Sequence, residues 1–191
     1  MIKSNLFLLP NLITISRLIC IPLIVGFYLS GLDELRFLSF IIFLYASISD
    51  FIDGYLARKL DQITMIGKIL DPIADKLLVI LTFMLFMTAD FINNITILGI
   101  MIITAREIIV MTMREIFAHQ GIQIDVIRLS KVKTAMQFTA LILLFITSLF
   151  AREIPFMLLL TNGLVTIAAA FSLITLISYM RNIYTILKIK I

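Results

Sequence analysis

The stretch SDFIDGYLARKLDQITMIGKILDPIADK, residues 49–76, carries five aspartates, and four of them, Asp50, Asp53, Asp71 and Asp75, lie within the two apolar runs that Asp61 separates. Its surroundings make those acids conspicuous: 61% of the 191 residues are hydrophobic, 15% are charged and mean hydropathy is +1.12. That is the composition of a membrane protein. Charge is costly at membrane depth, so a cluster of acids there requires a physical reason.

Working outward, six apolar stretches, about 12–32, 36–58, 66–89, 93–114, 133–151 and 156–180, reach or approach the length that crosses a hydrocarbon core. The second and third do so only by including polar residues at one end, so the aspartates lie within or beside spans. Lipid offers no partner to unpaired backbone groups, and the expected fold is therefore an all-α integral membrane bundle of six transmembrane helices. It forms a single polytopic domain over 1–191. Lys3 ahead of an apolar run has the look of a secretory signal. The run lacks an A-x-A cleavage pattern, holds Asn11, Thr14 and Arg17, and precedes five more spans, so it reads as an uncleaved helix.

Six spans place the N-terminus, the connections near 59–66 and 115–132 and the C-terminus on one side. Of the 16 Lys and Arg residues, all but Arg36 and Arg152 fall to that side, so the positive-inside rule predicts that both termini are cytoplasmic. The net charge of +4 and pI near 9.3 then describe a basic face beside anionic lipid, with no need of a nucleic-acid partner. Cys20 is the only cysteine, which leaves no intramolecular disulfide and no cysteine metal cage. Neither a repeat nor a low-complexity tract nor a Pro/Gly linker divides the chain. The longest connection, FAHQGIQIDVIRLS (117–130), is expected to lie on the cytoplasmic surface as a short amphipathic piece.

Helical rise places Asp53 roughly 8 Å and Asp50 roughly 12 Å below the cytoplasmic end of span two, with Asp71 roughly 8 Å and Asp75 roughly 14 Å below that of span three. Asp50, Asp53 and Ala57 are spaced i, i+3, i+7 and Gly67, Asp71 and Asp75 are spaced i, i+4, i+8, so each set lines one helical face. Gly54, Ala57 and Gly67 leave room beside the acids, and Pro72 suits the opening turns of span three. Ion pairs with Arg58, Lys68 and Lys76 are one way to neutralise them. For four aspartates facing one another across two helices, divalent metal is the stronger reading: hard oxygen ligands in that number suit Mg²⁺, Mn²⁺ or Ca²⁺. Two such ions about 4 Å apart are a standard arrangement for displacement at phosphorus. Partial membrane depth points to a lipid phosphate as the substrate.

The full spacing is Asp50-x2-Asp53-Gly54-x2-Ala57-Arg58-x8-Gly67-x3-Asp71-x3-Asp75, eight fixed positions over 26 residues. It resembles the signature of the CDP-alcohol phosphatidyltransferases. The stretches PNLITISRLICIP (10–22), TAREIIVMTMREIFAHQG (104–121) and LSKVKTAMQF (129–138) further resemble the phosphatidylglycerophosphate synthase branch of bacteria. Ser130 stands where that branch often has Gly, and the lysines after it are intact.

The resemblance implies a homodimeric, six-helix enzyme of the bacterial cytoplasmic membrane, with its active site facing the cytoplasm. In its reaction the primary hydroxyl of sn-glycerol 3-phosphate attacks CDP-diacylglycerol and displaces CMP. Carried over, Asp50, Asp53, Asp71 and Asp75 hold two divalent ions, Mg²⁺ or Mn²⁺, and Asp75 is also the general base. Gly54, Ala57, Arg58, Thr64 and Gly67 surround the cytidine and its phosphates, with Asn11 and Arg17 added on the nucleotide side. The acceptor phosphate calls for cations, and Arg106, Arg114, Lys131 and Lys133 are the candidates. An ion pair of Arg106 with the adjacent Glu107 is the competing reading, and Glu107 and Glu115 are expected to orient the arginines. His119, Asp61, Asp90 and Asp125 are read as connection residues without a catalytic part.

Two alternatives stand beside this one. A cardiolipin synthase of the same fold takes phosphatidylglycerol as acceptor, and an ion or proton transporter also buries carboxylates. A transporter is expected to place its charges near the midplane between repeats, whereas these acids sit in the cytoplasmic half.

Overall fold

The computed structural model describes the backbone of residues 9–59, 65–119, 128–150 and 155–190, with side chains over 11–49, 67, 69–118, 132–150, 156–186 and 188. The described residues form six helices and no strand: α1 (Leu9–Leu29), α2 (Asp33–Lys59), α3 (Met65–Phe86), α4 (Asn94–His119), α5 (Arg128–Phe150) and α6 (Pro155–Lys190). Each answers to one expected span. Four contain a stretch long and apolar enough to cross a membrane, Asn11–Leu29, Asn94–Ala118, Val132–Phe150 and Phe156–Ile186. The remaining two, α2 and α3, carry the four aspartates. The architecture is that of an all-α membrane protein.

Helix ends depart from the hydropathy limits in both directions, with α1 ending at Leu29 and α3 at Phe86, ahead of their expected limits. The last helix runs past 180 to Lys190, and α4 continues past 114 to His119. Arg181 and Glu115 end an apolar window, but neither they nor the residues that follow them to those ends include a Gly or Pro, so nothing local stops the helix. The expected connection 117–130 is shortened at both ends by α4 and α5, and its middle, 120–127, lies outside the described residues.

The chain divides into two compact units, Met1–Leu85 and Phe86–Ile191. In the first, α1 packs along α2 after a tight reversal at Ser30–Leu32. Gly31 takes φ +78°, a left-handed conformation that favours glycine. Ser39 Oγ on α2 donates to the Ile24 carbonyl of α1 at 2.8 Å, and the Arg36 guanidinium lies 5.8 Å from the Tyr28 ring centre. Ile24, Phe43, Ala46, Ala74, Leu78 and Phe83 are buried in this unit, drawn from all three of its helices.

In the second unit α6 packs against both α4 and α5. A Cβ placed on Gly99 of α4 would stand 3.3 Å from the Ala169 Cβ of α6, so the small residue permits the close approach. The Thr147 and Thr161 hydroxyls join α5 to α6 at 2.5 Å. The Asn162 amide nitrogen of α6 donates to the Phe91 carbonyl at 3.2 Å, and its oxygen accepts from the Asn93 N–H at 3.3 Å, which ties down the entry to α4. Most remaining hydroxyls within the helices return to a carbonyl one turn back, as Thr82 does to Leu78 and Thr112 to Ile108. That pairing keeps them compatible with an apolar surround.

Candidate active site

Three helices of the first unit contribute an acidic group. The i, i+4, i+8 spacing of Gly67, Asp71 and Asp75 is realised on the continuous helix α3, with Gly67 buried and both carboxylates half-buried. Asp71 is oriented from α1: the Thr14 hydroxyl, 1% exposed, donates to its Oδ1 at 2.6 Å. Asp75 is met by its neighbour, with Lys76 Nζ 3.1 Å from Oδ2. One of the expected ion pairs is therefore present, and it engages one of the aspartates. Pro72 lies inside α3, where its missing N–H leaves the Lys68 carbonyl without its intrahelical donor.

Asn11 and Arg17 are both buried on the inner side of α1. Arg17 is 0% exposed, and its Nε lies 3.4 Å from the hydroxyl of Ser49, the residue before Asp50. A guanidinium with no solvent access thus approaches the start of the aspartate stretch, and a charge so buried calls for an anionic partner. Asp50, Asp53, Gly54, Ala57 and Arg58 belong to α2, and their side chains lie outside the described residues. Thr64 lies outside them altogether. No group of three or more potential metal ligands is gathered among the described residues, which hold Asp71 and Asp75 of the proposed four. Those two fit the group in kind: hard carboxylate oxygens on one face, one of them fixed by a neutral donor.

The second unit, taken by itself, holds a basic group. Arg106 and Glu107 of α4 and Lys133 and Gln137 of α5 are all buried, 5%, 2%, 2% and 2% exposed. Their centre is one atom, Glu107 Oε1. Arg106 Nη1 donates to it at 3.2 Å, Gln137 Nε2 at 3.1 Å, and Lys133 Nζ contacts it directly. The ion pair weighed from the sequence is formed, and it takes in Lys133 as well as Arg106. Two cations against one carboxylate leave the group at one positive charge.

Arg106 Nε and the Tyr179 hydroxyl are buried donors without a hydrogen-bond partner among the described residues. Tyr179 of α6, 6% exposed, lies within electrostatic reach of both Arg106 and Arg114. Arg114 itself is exposed. Eight residues along a helix leave an offset of about 80°, so Arg114 lies toward the edge of the face that Arg106 occupies. The Lys131 side chain lies outside the described residues.

Thr14, Ser49, Gln137, Ser172 and Tyr179 were not singled out from the sequence. Gln137 carried a signal, since it stands four residues after Lys133 in an apolar run and so shares its face. Ser172, Thr175 and Tyr179 likewise follow i, i+3, i+7 on α6. Thr14 and Ser49 had no such mark, because hydroxyls are common in membrane helices.

The family model described as CDP-alcohol phosphatidyltransferase matches residues 7–180. A CDP-diacylglycerol–glycerol-3-phosphate 3-phosphatidyltransferase of Rickettsia felis is 38% identical over 174 residues, covering 91% of this chain and 93% of the relative. One of the same name from Haemophilus influenzae is 40% identical over 138 residues, 71% of this chain and 74% of that one. A cardiolipin synthase (CMP-forming) of Oryza sativa is 35% identical over 200 residues, 96% of this chain and 59% of the relative.

Proposed function

The chain belongs to the CDP-alcohol phosphatidyltransferase family, and on that premise we propose that it transfers the phosphatidyl group of CDP-diacylglycerol to sn-glycerol 3-phosphate, giving phosphatidylglycerophosphate and CMP. The observation that carries this reading is the α3 face of Gly67, Asp71 and Asp75, with Asp71 held by Thr14. It completes a spacing that opens at Asp50 on the preceding helix. The names of the bacterial relatives support glycerol 3-phosphate as the acceptor.

Asp50, Asp53, Asp71 and Asp75 are the residues to hold two divalent ions, Mg²⁺ or Mn²⁺, which when bound supply positive charge against the pyrophosphate. Thr14 presets one oxygen of Asp71 without adding charge. Asp75 accepts the proton of the attacking hydroxyl as the new P–O bond forms. Asn11, Arg17, Gly54, Ala57, Arg58, Thr64 and Gly67 take the cytidine and its phosphates. Arg106, Arg114, Lys131 and Lys133 take the acceptor phosphate. A buried group of net positive charge in which Arg106 Nε and the Tyr179 hydroxyl have no hydrogen-bond partner among the described residues is suited to a dianion rich in acceptor oxygens.

The enzyme is placed in the bacterial cytoplasmic membrane with its active site facing the cytoplasm, on the strength of the charge asymmetry. A homodimer is proposed on the family resemblance. Phosphatidylglycerol as acceptor, giving cardiolipin, is the second reading, favoured by the likeness to the rice enzyme.

Purified protein in detergent with CDP-diacylglycerol and Mg²⁺, offered each acceptor in turn, tests the choice. CMP release with glycerol 3-phosphate alone is the expected result; release with phosphatidylglycerol alone transfers the assignment to cardiolipin synthesis. No release with either from folded protein returns the transporter reading.

A further inference from the structure

Lys133 and Gln137 stand one turn apart on α5 and reach the same oxygen of Glu107 that Arg106 reaches from α4. The Gln137 Nε2 also lies 3.5 Å from the Ser172 hydroxyl of α6, so a single amide connects the carboxylate to the third helix of the unit. A carboxylate shared by two long cationic side chains can follow either of them. The amide supplies a third hydrogen bond, adds no charge, and is itself 2% exposed and confined by packing.

We propose that Gln137 is a positioning residue for acceptor binding: it anchors Glu107, and through Glu107 it sets where Arg106 and Lys133 stand. The inference rests on the glycerol-phosphate reading above. Gln137 touches neither substrate. Its effect is preorganisation, holding two cations on one oxygen so that the acceptor phosphate meets them already placed, with Arg106 Nε still open.

Steady-state kinetics of Gln137→Leu and Gln137→Glu, each with a thermal melt, test it. Gln137→Leu removes the anchor, and KM for sn-glycerol 3-phosphate is expected to rise about tenfold, the loss of one hydrogen bond to a charged group. Gln137→Glu keeps the shape but sets a second carboxylate against Glu107, and a larger rise is expected. KM for CDP-diacylglycerol is expected to stay at the wild-type value in both variants, with the melt showing folded protein. An unchanged acceptor KM in both variants overturns the proposal. So does a parallel rise of both KM values with a lowered melting temperature, which is the mark of a purely structural tie. Wild-type CMP release with phosphatidylglycerol alone overturns the acceptor reading instead, and the same split is then read on KM for that lipid. Release with no acceptor overturns both.

Discussion

A threonine hydroxyl 2.6 Å from Asp71 Oδ1 does two things to that carboxylate: it removes rotational freedom, and it satisfies one lone pair with a neutral group. A lysine in the same place would fix the oxygen but compete with a cation for it. Thr14→Val keeps the shape and loses the donor, so CMP release is expected to fall about tenfold and to need more Mg²⁺, while Thr14→Ser retains activity. On the proposed roles, Asp75→Asn removes a proton acceptor and a metal ligand together. Loss of about 10²-fold or more in CMP release, in protein that melts as wild type does, is the expected outcome. Chelation by EDTA is expected to abolish CMP release, and added Mg²⁺ or Mn²⁺ to restore it, measured on the same preparation.

At the scale of the helix, α4 carries two duties. Its Arg106–Glu107 pair joins the polar group with α5, and Gly99 lets α6 approach. Lipid tails are as apolar as the helices, so α4 and α6 are held by close packing and not by exclusion of water. Gly99→Leu forces a side chain into that contact and is expected to destabilise the fold by about 1–3 kcal/mol, read as a lowered melting temperature in detergent. Hydropathy located all six helices but stopped α4 and α6 short, because a charged residue interrupts an apolar window without interrupting backbone hydrogen bonding. Pro72 and the hydroxyls of α1 show the converse. Their local chemistry was visible, but which carboxylate or carbonyl each one met was not.

At the scale of the molecule, the six-span topology expected from the sequence puts nearly all Lys and Arg on one side of the membrane, with Arg36 and Arg152 on the other. A Cys20→Ser background has no thiol, so single cysteines report topology cleanly. Lys190→Cys is expected to react with a membrane-impermeant maleimide only from the cytoplasmic side, and Arg152→Cys only from the opposite side. The sequence by itself determined the helix count, the membrane setting, the aspartate face of α3 and the family resemblance. All of these follow from order along one dimension: apolar run length, helical period and fixed spacing. Only the tertiary structure decided the pairings, Thr14 with Asp71 across 57 positions and Glu107 with Lys133 and Gln137 across 26 and 30. In a low-dielectric interior a charge takes whichever partner packing brings within about 3 Å, and packing depends on how distant segments meet.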